Sequence, residues 1–174
     1  MEQVKSGTKL GGVFDVECYR DGSLIWTDRA ENIITNEGLD ALLNIMLHAA
    51  TQITTWYCCL IESDTSAAAG MTYAVPTYTE SSSYDEAARV EYVEAASSAR
   101  STTNSANKAT FTISATKTMY GASLVGGGTA PTAIGDTTSG GTLLCYAKFS
   151  ASRAVVDNDV INLTYTVTSA DDGV

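Results

Sequence analysis

With 174 residues, 44% hydrophobic and 17% charged, the chain fits one domain better than two and is long enough to bury a core without metal or disulfide staples. Its 20 acidic and 10 scattered basic residues give a net charge of −10, which argues against binding the phosphate backbone of nucleic acid or an anionic membrane surface. No apolar run approaches the ~20 residues that span a bilayer.

Residues 1–11 read as a flexible polar arm carrying Lys5 and Lys9, with no apolar stretch of the secretory kind. Val13–Tyr19 then alternates, with Phe14, Val16 and Cys18 on one face and Asp15 and Glu17 on the other. Asp21-Gly22 is a hairpin turn, and Leu24–Ala30 is the return strand. Leu39, Leu42, Leu43, Met46 and Leu47 recur at helical spacing. They predict a helix over residues 37–48, with Asn36 as N-cap and Glu37 and Asp40 in the first turn. Its single apolar stripe is expected to lie over one end or face of a sheet.

Thr54–Glu62 reads as a buried strand, too short and aromatic for a helix. Residues 63–87 are loop, Arg89–Glu94 is a strand with imperfect alternation, and 97–107 is a polar loop. Strands follow at Thr110–Ala115 and Met119–Val125, the latter ended by Gly126-Gly127-Gly128. After a Gly/Thr loop over 129–141, Leu143–Phe149 and Val160–Val167 are the last two strands, joined by a turn at Asp157-Asn158-Asp159. About eight strands, one helix and several long loops predict a jelly-roll-like antiparallel β-sandwich. An immunoglobulin-like sandwich is the alternative. The expected organisation is an arm (1–11), a sandwich domain (12–168) and a C-terminal tail (169–174).

Chemistry-bearing patterns are few. His48 is the single histidine and sits at the predicted helix end, where a cation is favoured, so a catalytic dyad has no spare candidate. Glu62 with Asp64, or Glu80 with Asp85 and Glu86, supply carboxylates of the kind that hydrolyse glycosides. In a chain this acidic, carboxylates at strand ends are expected without catalysis. Asp157-Asn158-Asp159 and Asp171-Asp172 lack the remainder of a calcium loop. The triple glycine lacks the Lys and Ser/Thr of a phosphate loop. Trp26, Trp56 and the tyrosines suit core or subunit packing, with a sugar platform as the rival role. Cys58 and Cys59, if in a strand, point to opposite faces. With no CxxC pair and no nearby histidine, all four cysteines are expected to be buried thiols in a reducing cytoplasm, and spacing leaves a Cys18–Cys145 disulfide open. No cofactor, metal or catalytic residue is assigned, and no enzymatic activity is expected.

The segment Asn32-Ile33-Ile34-Thr35-Asn36-Glu37-Gly38-Leu39-Asp40, followed by Leu42-Leu43, resembles a phrase common in tailed-phage structural proteins, in which a hairpin leads through "N-x-x-T-N-x-G-L" into a short helix. The later order is also similar: Trp56-Tyr57, Tyr78-Thr79-Glu80, Tyr84 with Arg89, Phe111-Thr112-Ile113, Gly121-Ala122-Ser123-Leu124, Leu143–Phe149 and Asp159–Val167. Over most of residues 12–168 the chain is similar to small phage capsid-decoration (cement) proteins. That resemblance implies a homo-oligomeric jelly roll, with a trimer favoured, that is made in the host cytoplasm and clamps the major capsid protein on the outer capsid surface. It implies neither nucleic acid nor membrane as partner. Lys5, Lys9, Tyr78, Tyr84 and Arg89 are the expected capsid or subunit contacts, with the loops 63–87, 97–107 and 126–141. The rival expectations are a tail, baseplate or fibre module, including one that binds host glycan, and a small hydrolase working through paired carboxylates such as Glu62 and Glu80.

Overall fold

The computed structural model describes residues 7–171. The alternating run at the start forms β1 (Thr8–Arg20), which buries Phe14, Val16 and Cys18 completely. Asp21 and Gly22 both take positive φ, as a tight two-residue hairpin turn requires, and the chain returns as β2 (Ser23–Glu31). There follow β3 (Ile33–Ile34), α1 (Asn36–Leu47), β4 (Trp56–Ile61), β5 (Val90–Glu91), β6 (Ser101–Thr103) and β7 (Ala109–Thr112). The long strands β8 (Lys117–Gly126), β9 (Thr142–Val155) and β10 (Val160–Asp171) complete the fold.

Two antiparallel sheets make the sandwich. The first runs β2-β1-β10-β6, with β7 also on β10, and the second runs β3-β9-β8-β4-β5. The first and last strands lie side by side from Thr8↔Asp171 to Tyr19↔Val160. Between the sheets lies a core of Phe14, Phe111, Ile161, Leu163, Tyr165, Leu60, Leu124 and their neighbours. A second cluster, with Cys59, Ile61, Met71, Tyr73, Val125, Leu143 and Tyr146, sits on the other face of the second sheet beneath the loops. Cys58 therefore faces one core and Cys59 the other, as alternation demands. All four cysteines are buried free thiols. Burial pushes the Cys18 thiol up to about 11 and the Cys145 thiol up to about 12.

Where β2 meets β9 the sandwich is closed by side chains. Trp26 donates Nε1–H to the Ala154 carbonyl at 3.2 Å. The buried Asp28 carboxylate accepts from Ser150 Oγ at 2.9 Å and Arg153 Nε at 2.8 Å. Just beyond β9, the turn over 156–159 puts Asn158 at φ 66°. Asp159 is fully buried there and accepts from Arg20 Nε at 2.7 Å, Arg20 Nη2 at 2.9 Å and Val156 N at 2.8 Å.

Several boundaries differ from the sequence reading. Residues 8–11, read as arm, belong to β1, and residues 169–171, read as tail, belong to β10. Gly12 interrupts the apolar alternation because a Cβ there would stand 2.5 Å from the hydroxyl of Tyr165. Residues 1–6, with Lys5, and 172–174 lie outside the described residues. The short strands β3 and β6 were not foreseen, and the strand expected over 89–94 narrows to Val90–Glu91.

The helix is docked by the phrase that precedes it. Thr35, and not Asn36, is the N-cap: its hydroxyl accepts from Gly38 N at 2.9 Å and donates to the Leu143 carbonyl. The Glu37 carboxylate accepts from Tyr73 N at 2.8 Å and Leu143 N at 2.7 Å. Gly38 is the buried residue of the helix, and a Cβ on it would lie 2.7 Å from the Leu144 carbonyl oxygen. Gly38→Ala is therefore expected to destabilise the protein by about 1–3 kcal/mol through overpacking against backbone, read as a lower urea midpoint with an unchanged slope. Asp159 supplies a pH test. Its hydrogen bonds from Arg20 hold its carboxyl below the usual carboxylate value, so its contribution is present above about pH 4 and is lost as pH falls further. Asp159→Asn should cost roughly 1–2 kcal/mol at pH 7 and reduce the acid dependence of the unfolding midpoint.

Candidate functional site

Two surfaces gather the polar and apolar features that remain after the core is accounted for. The first is a cleft of ≈ 260 Å3 above the second sheet, between the loops over 71–80 and 131–137. Arg89 enters it from the start of β5 with its side chain 2% exposed, beside Glu80 at 7%. A buried guanidinium must place five N–H donors. Nε donates to Glu80 Oε1 at 2.8 Å and Nη2 to Glu80 Oε2 at 2.6 Å. Nη1 donates to the Tyr73 hydroxyl at 3.0 Å and the Pro131 carbonyl at 2.9 Å. Nη2 also donates to the Asp136 carbonyl at 3.0 Å. The Tyr73 hydroxyl in turn donates to Asp136 Oδ2 at 2.7 Å, and Gly135 N donates to Glu80 Oε2 at 3.0 Å.

Every group at this centre is committed to another group of the same chain. Burial disfavours the Arg89 charge, but Glu80 outweighs it and holds the guanidinium protonated. Hydrogen bonds from Ser139 and Tyr73 hold the Asp136 carboxyl below its ordinary value. The arrangement is a staple that fixes two long loops over the sheet.

The sequence-predicted contacts separate on this geometry. Arg89 is inside the staple, and Tyr84 is buried edge-on against Phe111, so neither presents its side chain to solvent. Tyr78 is half-buried, its ring tilted at 42° against that of Tyr146, with its hydroxyl donating to Ser123 Oγ at 2.9 Å. Lys9 is exposed on β1. The paired-carboxylate candidates are not brought together as an acid–base pair. Glu62 pairs with Lys117, Asp64 with Lys148 and Glu80 with Arg89, while Glu86 accepts from Thr112 N. His48 is exposed at the helix C-cap.

The second surface is α1 itself. Gly38, Leu42 and Ile45 share one face, and Gly38 and Leu42 on it meet the body of the protein. Leu39, Leu43, Met46 and Leu47 form the adjacent face and are 41%, 56%, 75% and 79% exposed. The apolar stripe expected to cover a sheet points mostly into solvent. The sequence holds the clue: counting Gly38 and Ile45 with the leucines, the helix is apolar over more than one face, wider than one contact with a sheet needs.

A family model described as podophage GP4 fiber I protein gp80 matches residues 30–169. The chain belongs to this family. Comparison with curated proteins gave no match. Membership of the podophage fibre I family makes the chain a bacteriophage structural protein with a β-rich fold. The match spans the helix-docking phrase, the Arg89 staple, strands β3 to β9 and all but the last two residues of β10. Its boundary leaves β1 and most of β2 outside, although β1 sits between β2 and β10 in the first sheet.

The staple makes a direct prediction. Arg89→Ala strands the Glu80 carboxylate in a buried position and is expected to destabilise by ~3–5 kcal/mol. Limited proteolysis should then cut within 63–87 or 127–141 before the strands are attacked. Unchanged stability would show that the ion pair holds nothing in place.

Proposed function

We propose that this chain is a fibre module of a podophage tail and acts as a mechanical, non-catalytic part of the virion. The observation that carries this reading is the match of the fibre I family model over 30–169. It favours the fibre alternative over capsid decoration, which no feature of the fold selects. The geometry agrees with a structural task. The cleft most able to host chemistry is filled by a satisfied ion-pair staple, and long loops are tied down. The apolar surface left open is a helix, a form suited to contact with protein.

The test is location on the particle. Purified virions carrying a peptide tag on this chain are labelled with gold-conjugated antibody, and the copy number is measured against the major shell protein. Label at the tail, at a few per cent of the shell-protein copy number, is expected. Label spread over the shell at near-stoichiometric copy number would overturn the fibre reading in favour of decoration, and absence from the virion would overturn both.

A further inference from the structure

We propose that copies of this chain bind one another head-to-tail, the α1 ridge of one copy seating in a groove on the outer face of the first sheet of the next. The inference concerns an interface and stands apart from where on the virion the chain is found. The ridge is Leu39, Leu43, Met46 and Leu47, at i, i+4, i+7 and i+8, the spacing by which an amphipathic helix anchors in a groove. Patches of bare apolar surface on this scale mark contact sites.

The groove is on the same chain. It has a volume of ≈ 460 Å3 and a lining of small or apolar groups that includes Gly11, Val13, Thr168 and Ala170. The space above Gly11 is open: a Cβ there would meet nothing within 4 Å. A protruding row of long side chains and a trough floored by glycine and alanine are complementary in shape.

The charges are complementary too. Lys9 lines the groove without an ion-pair partner among the described residues, and Arg29 lies beside it, 68% exposed and shared with Asp15. The helix offers the opposite sign. Asp40 is exposed, and the last turn carries no basic residue to offset the negative end of the helix dipole. In a chain of net charge −10, two identical acidic surfaces repel. A ridge against the Lys9 groove avoids that penalty, whereas two ridges face to face do not.

Ridge and groove cannot meet within one molecule. The helix packs on β9 of the second sheet, while the groove is on the outer face of β1 and β10 in the first. The contact is heterologous, and repetition of it closes a ring or extends a row. Four side chains supply less than the ~800 Å2 that each partner gives a standard interface. Association of free chains is accordingly weak, and copies held near one another gain most from it.

The test uses the full chain in sedimentation equilibrium at concentrations up to about 1 mM, the weak end of specific contacts. The ridge variant is Leu43→Glu with Met46→Glu. The groove variant is Lys9→Glu with Gly11→Gln. All four positions are open to solvent, and an unchanged unfolding midpoint in each variant confirms that the fold is kept. The expected result is concentration-dependent association of the native chain, at least tenfold weaker in either variant alone. An equimolar mixture of the two variants should form a 1:1 dimer, because the groove variant keeps its ridge and the ridge variant keeps its groove. A native chain that stays monomeric, a ridge variant that associates as before, or a mixture that stays monomeric while the native chain associates would each overturn the proposal. A groove variant that associates like the native chain while the ridge variant does not would also overturn it, and would indicate a symmetric helix–helix contact.

Discussion

A guanidinium buried above the second sheet sets the terms for a large share of this molecule. Arg89 is almost wholly shut off from solvent, so five acceptors must be brought to it, and leaving any one donor unmet would cost roughly 1–3 kcal/mol. Those acceptors come from Glu80 and Tyr73 on one long loop and from Pro131 and Asp136 on another. Neither loop has regular strands of its own to hold it, yet both lie along fixed paths over the sheet. Their course follows from the charge they enclose. Covering the sheet in this way also creates the second apolar cluster, since Met71 and Tyr73 arrive on the loop that the guanidinium anchors.

That covering explains which parts of the sequence were legible. β1 has one face to the core and one to solvent, so its alternation is plain and its place in the fold could be read directly. Residues 54–62 and 143–149 lie beneath loops on one face and against the other sheet on the opposite face, so they read as unbroken apolar runs. Their strand character was still recoverable from length and aromatic content. The two-residue β3 and three-residue β6 left no periodic trace, because so short a segment holds only one or two alternations. Gly11 and Gly12 made the start of β1 resemble an arm. At Gly12 the small size is a tertiary requirement, set by the ring of Tyr165.

The site residues were harder for a related reason. Sequence periodicity states that a stripe is apolar and is silent on what covers it. In α1 the docking is done by a capped threonine, a carboxylate reaching two backbone amides and a glycine pressed on Leu144, none of which belongs to the leucine stripe. Once those three residues fix the helix by one face, the leucines must turn elsewhere. The family phrase thus has a physical content: it seats a helix through small and polar residues and leaves its large apolar ones available. Tyr84 and Arg89 show the converse. A polar or aromatic residue in a loop-rich stretch looks like a surface contact, and only the folded path of the loops reveals that both are enclosed.

The strong negative charge bears on how such a surface is used. At physiological ionic strength repulsion between copies is screened beyond ~8 Å, so free chains are kept apart mainly at close approach. Exposed leucines and a methionine on an acidic protein can then stay in solution, since a random encounter brings acid against acid before apolar area is buried. An encounter that places Asp40 near Lys9 reverses the local sign while leaving the overall charge unchanged. The same balance makes the contact sensitive to context. Copies fixed side by side on a particle have already lost most of the translational freedom that association costs, and a ridge of four side chains then holds where it would release in dilute solution. A structural module built this way remains separate until it is placed, and the placement itself supplies the concentration that its small apolar surface needs.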